Sequence, residues 1–161
     1  MSLIKVIGIG SPFGGDKIGW LAIDKIVSAM HKTGINQDAI SFEKADRPGT
    51  LLLEMIKDID TVILIDAIDN KQNAGQILQL DKLEIQAAGQ NLSCHNIGVS
   101  ETLQLGAVLG DIPDNILLFG ICIDATSPVL PDDRLIQELA NCAIKTLNEN
   151  ALKNNAGCTA S

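Results

Sequence analysis

Basic residues are in short supply: 12 Lys and Arg stand against 20 Asp and Glu, for a net charge of -8. Such a surface repels phosphate backbones and anionic headgroups at long range, so neither nucleic acid nor a membrane surface is expected as a partner. A protein or a small molecule fits better. The 4 cysteines, Cys94, Cys122, Cys142 and Cys158, form no CxxC pair, which argues against a disulfide framework or a structural zinc site. Reduced thiols, three of them in or near the core, are expected. No apolar run approaches membrane-spanning length, and Ser2-Leu3-Ile4-Lys5 after Met1 does not resemble a signal peptide, which predicts a cytoplasmic chain. Repeats, low-complexity blocks and linkers are also missing. With 161 residues the chain suits one domain over residues 1–150, with a frayed tail over 151–161.

What is present alternates strand with helix. Leu3 to Gly10 is a β-branched, mostly apolar run closed by glycines, a buried central strand. From Ile18 to Met30 the spacing of Ile18, Leu21, Ala22, Lys25, Ile26 and Ala29 predicts an amphipathic helix. Ala39 to Glu43 is a second strand, and Asp46-Arg47-Pro48-Gly49 punctuates the chain before Thr50, placed to cap a helix through Lys57. Thr61 to Asp66 is the clearest strand and ends on an acid. Gln76 to Leu80 alternates like an edge strand that can run antiparallel. Asp81 to Val99 reads as a long loop, Ser100 and Glu101 start a helix to about Leu109, and Asn115 to Ile123 is the last core strand. Pro131-Asp132-Asp133 opens a final helix with Leu135, Ile136, Leu139, Ala143, Ile144 and Leu147 on one face. The order predicts a three-layer α/β fold: a mostly parallel twisted sheet of about five strands with helices on both faces.

In open sheets of this kind the ligand crevice lies beyond the carboxyl ends of the strands, where the strand order reverses, here between the first and third strands. Asp16, in the glycine-rich turn after the first strand, and Asp66, at the end of the third, converge there. His95, in the loop before the third major helix, approaches the same edge. Two carboxylates and an imidazole suit a divalent transition metal such as nickel, zinc, cobalt or manganese, and a partner's ligand can complete the set. Each residue also has a plainer role. Asp16 can cap the helix starting near Ile18, and Asp66 can bond a neighbouring loop. His31 is a favourable cation near a helix terminus, and Cys94 beside His95 is a spectator. Phe13 and Trp20 flank the loop, where they can line a docking surface or pack under the sheet.

The runs GIGSPFGGDKIGWLAIDKI at Gly8 to Ile26, ILIDAID at Ile63 to Asp69, CHNIG at Cys94 to Gly98 and LLFGICID at Leu117 to Asp124 together resemble the hydrogenase maturation proteases. The resemblance implies an endopeptidase that removes the C-terminal peptide from the large-subunit precursor of a nickel-iron hydrogenase; separately, a monomer is expected. It places the metal-contacting groups on Asp16, Asp66 and His95, around nickel supplied by the precursor. The first loop departs from the usual pattern, with Ser11 in place of Asn and a single acid, Asp16, between Gly15 and Lys17. The Asp46-Arg47-Pro48-Gly49 turn lacks the small, Thr-containing form common in the family. An alternative is a nucleotide-binding or regulatory domain, since Gly8, Gly10 and Gly14 follow a strand. The spacing is not G-x-G-x-x-G, however, and Asp16 places a negative charge where phosphate would sit.

Overall fold

A computed structural model describes residues 2–34, 37–89, 98–127 and 130–157. Strand β1 (Ile4–Gly10) leads into helix α1 (Ile18–Thr33), and β2 (Ile40–Asp46) into α2 (Leu51–Ile56). Strands β3 (Thr61–Asp69) and β4 (Ile77–Asp81) precede α3 (Lys82–Ala88) and α4 (Val99–Leu109), and β5 (Asn115–Ile123) precedes α5 (Asp133–Gly157). The sheet has five strands in the order β2-β1-β3-β5-β4. All pair in parallel except β4, which runs antiparallel at the edge beside β5. The expected α/β architecture is therefore present, including its antiparallel edge.

Alternation along the inner strands sorts side chains into two apolar layers. On one face Val6, Ile63, Ile65, Phe119 and Ile121 pack against α1 and α5 through Ile18, Ala22, Ile26, Ile136 and Leu139. On the other, Ile7, Ile9, Val62, Leu64 and Leu118 meet α2, α3 and α4 through Leu52, Ile56, Ile85 and Leu103. Burying one such side chain contributes roughly 1.5–3 kcal/mol, so these seams outweigh local propensity in placing each helix. Because α1 and α2 lie on opposite faces, the chain steps from β1 out to β2 and back past β1 to β3. The strand order thus reverses between β1 and β3, where a crevice was expected.

Several elements differ from expectation. The supposed loop from Asp81 to Val99 contains α3, and its start carried a signal: Asp81 accepts the Glu84 N–H while Glu84 accepts the Asp81 N–H, a reciprocal capping box. Strand β3 runs three residues past Asp66, because Ala67, Ile68 and Asp69 stay in register with Ile121, Cys122 and Ile123 of β5. Strand β2 similarly extends to Asp46, opposite Gly10. Thr50 occupies the N-cap of α2 without a side-chain cap bond. Helix α4 begins at Val99 after Gly98, and Ser100 is buried, its hydroxyl donating to the Gln86 carbonyl of α3. Helix α5 continues past Asn150 to Gly157. No helix among the described residues is long and apolar enough to cross a membrane.

Two described residues other than glycine have positive φ, Asp58 at 59° and Arg47 at 42°. A short polar side chain makes the left-handed region tolerable for Asp, but Arg has no such compensation and bears about 1–2 kcal/mol of strain. The turn holding Arg47 is tied down from three sides. The Arg47 N–H donates to the Gly10 carbonyl at 3.0 Å, Trp20 Nε1 donates to Ala45 O at 3.1 Å, and Thr102 Oγ1 of α4 donates to Gly49 O at 3.4 Å.

Candidate functional site

The loop after β1 folds tightly enough to fix Asp16. The Asp16 N–H donates to Phe13 O at 3.1 Å, closing a 3-10 turn over Gly14–Lys17, and the Ser11 N–H donates back to Asp16 O at 3.2 Å. The Ser11 hydroxyl then donates to Asp16 Oδ2 at 3.0 Å. Ser11 is 1% exposed, whereas Asp16 is half-buried. The N-cap of α1 is Lys17, so helix capping does not account for the acid. The nearby glycines serve close packing: a Cβ on Gly10 would strike Asp16 O, and one on Gly19 would strike the carbonyls of Ile9 and Ile65. A Cβ on Gly8 would likewise strike Gly19 O, so close packing accounts for Gly8 and Gly10, two of the glycines that otherwise suggest a phosphate loop.

Asp66 lies inside β3 rather than at its end, in register with Gly120. The alternation puts it on the face that also carries Val62, Leu64 and Ile68, toward α2, α3 and α4. It is 4% exposed, and its Oδ1 accepts the Ala67 N–H at 2.8 Å. Burial pushes its pKa well above the ordinary carboxylate range. The Ala67 N–H partly offsets this, and the negative charge of Asp16 adds to the rise. The fold therefore brings Asp16 and Asp66 within electrostatic reach of each other across the β1–β3 reversal. A pair of this kind, one member desolvated, gains from a cation placed between or beside it.

His95 and Cys94 lie outside the described residues, and so does Cys158. Among the described residues no group of three or more His, Cys, Asp and Glu is arranged to hold a metal, which leaves the two carboxyls as the described part of the expected set. Cys122 is buried, with its thiol pKa raised by desolvation, and Cys142 is partly buried. His31 sits exposed in the last turn of α1. Phe13 is 69% exposed beside Asp16, while Trp20 is partly buried against β2. Ser11 and Arg47 were not singled out from sequence as site residues. The available sign for Ser11 was its place where the resemblance implies Asn, and for Arg47 the departure of its turn from the small, Thr-containing form.

The model of the family described as hydrogenase maturation protease matches residues 24–153. That stretch includes Asp66 and His95 and begins after Asp16. The chain is 26% identical over 133 residues to the hydrogenase expression/formation protein HupD of Thiocapsa roseopersicina, covering 81% of this chain and 56% of that protein. It is 28% identical over 127 residues to the hydrogenase 2 maturation protease of Escherichia coli K12, covering 78% and 76%. This chain thus spans a little over half the length of the HupD proteins it matches. In fold it resembles the hydrogenase maturating endopeptidase HybD of E. coli, with a TM-score of 0.70 at 23% identity over 94% of this chain and 93% of that one. The match to the family model takes in four of the five strands and most of the helical cover described above, and on it this chain belongs to the hydrogenase maturation protease family.

Proposed function

We propose that this chain is an endopeptidase that removes the C-terminal extension of a nickel-iron hydrogenase large-subunit precursor after nickel insertion, and that Asp16, Asp66 and His95 recognise the bound nickel. Family membership supports the activity class. The observation that carries the metal-reading role is the relationship between the two acids: Asp66 is buried in β3 and Asp16 stands close enough to oppose its ionisation. Holding two carboxyls in that way is unfavourable until a cation joins them.

The nickel belongs to the substrate in this reading. Thiolates on the precursor bind it far more tightly than two carboxylates and an imidazole do, so the protease reads the metal without needing to own one. Contact with the nickel orients the scissile peptide, and a carboxylate accepting a proton from water and the metal polarising the peptide carbonyl are the contributions these groups can make. We place the reaction in the cytoplasm and assign it to the monomer.

Intact-mass spectrometry of the host's large-subunit precursor, incubated nickel-loaded or nickel-free with this protein, tests the proposal. Shortening is expected only with loaded precursor, and not with Asp16→Asn, Asp66→Asn or His95→Ala. Trimming of nickel-free precursor at the same rate would remove the metal-reading role, and no trimming of loaded precursor would remove the activity.

A further inference from the structure

Arg47 directly follows β2, beside the carboxyl end of β1 that leads into the Asp16 loop, in a backbone conformation that disfavours arginine. Its N–H is bonded to the carbonyl of Gly10, and Gly10 in turn packs directly beneath the Asp16 carbonyl, so one residue of β1 locates both the cation and the acid. The turn around Arg47 is anchored to β1, α1 and α4 and has little freedom to relax. Of the guanidinium nitrogens only Nε is engaged, donating to Asp46 Oδ1 at 2.9 Å, and no Nη atom hydrogen-bonds a described residue. Both side chains of that pair are about half exposed, 53% and 51%. An exposed pair between adjacent residues stabilises too little to explain why arginine occupies a left-handed position that glycine would fill without strain.

We propose that Arg47 is a specificity-determining residue that binds a carboxylate of the precursor, and that this contact seats the peptide beside Asp16. The inference rests on the processing function proposed above. A planar fork whose Nη1/Nη2 edge is unused among the described residues matches a carboxylate in two-point geometry, which lysine cannot reproduce. In a chain with net charge -8, a cation beside the end of β1 also offsets the repulsion an acidic peptide would meet there. The carboxylate is either an acidic side chain of the extension or its free C-terminus.

The test compares wild type, Arg47→Gln, Arg47→Lys and Arg47→Gly with nickel-loaded precursor, measuring kcat and KM for trimming, Kd by calorimetry, and Tm. Arg47→Gln and Arg47→Gly should raise KM and Kd on the order of 10-fold with kcat little changed. Arg47→Lys should recover only part of the loss. Arg47→Gly should also have a higher Tm, which separates binding from structural support. Wild-type KM and Kd in the Gln and Gly variants would overturn the inference. Precursors with amidated C-termini, or with the extension's acids changed to amides, identify the source: whichever carboxylate Arg47 grips, its removal should abolish the difference between wild type and Arg47→Gln. If neither change does so, the carboxylate assignment fails. If wild type binds the precursor but does not cut it, the processing function fails while Kd still decides the role of Arg47, and absence of binding overturns both.

Discussion

Ser11 donates twice to Asp16, through its N–H to the Asp16 carbonyl at 3.2 Å and through its hydroxyl to Oδ2 at 3.0 Å. A buried serine thereby sets both the backbone and the carboxylate of an acid five residues away. Ser11→Ala keeps the backbone bond and deletes the second. It should cost about 0.5–1.5 kcal/mol of stability and lower trimming activity roughly 10-fold through misplacement of Asp16. Ser11→Thr, which keeps the hydroxyl, should recover most of the activity. Equal losses in both variants would mean that the close packing around Ser11, not the hydrogen bond, matters.

Asp66 makes stability depend on pH in a direction unusual for an acid. Its folded-state pKa is raised, so the native protein holds this proton over a range in which the unfolded chain has released it. Its contribution is complete below the ordinary carboxylate pKa and is lost as pH rises through the raised value. Asp66→Asn imitates the protonated acid and cannot titrate. The variant should match wild type at low pH and become progressively more stable than it, with a higher Tm, as pH rises through the raised value. It should also be inactive. Thermal melts across that pH range decide the point, and parallel Tm profiles for the two proteins would contradict it.

Gly19 lets α1 approach the sheet closely. A methyl group there would meet the carbonyl oxygens of Ile9 and Ile65, both backbone atoms that cannot turn aside. Gly19→Ala is therefore expected to destabilise by about 1–3 kcal/mol despite alanine's better helix propensity. Urea unfolding measures this, and a stabilised variant would show that α1 can lift from the sheet at no cost.

The capping box of α3 gives a local test. Asp81→Ala removes the acceptor for the Glu84 N–H and should cost about 1 kcal/mol without changing precursor trimming, since α3 is not part of the proposed site. Hydrogen exchange should report faster opening of α3 in particular.

Legibility from sequence followed burial. Strands β1, β3 and β5 are apolar on both faces, so composition announced them, and the amphipathic stripes of α1 and α5 matched the faces they bury. The end of β3 was missed because an acid reads as a terminator, although pairing with β5 carries the strand through Asp69. Helix α3 was missed because it is short and buries mainly Ile85, leaving little periodicity to detect.

By itself the sequence determined the alternation of strands and helices, the apolar faces that pack them, and the identities of Asp16 and Asp66 as acids at opposite sides of a strand-order reversal. These are local or period-based properties, carried by which side chains must leave water. Only the tertiary structure decided that Asp66 is buried within a continuing strand, that Ser11 orients Asp16, and that Arg47 is held against Gly10 in a left-handed backbone. Those relationships depend on register between strands distant in sequence and on how closely α1 approaches the sheet, where hydrogen bonds and excluded volume among non-neighbouring residues set the geometry.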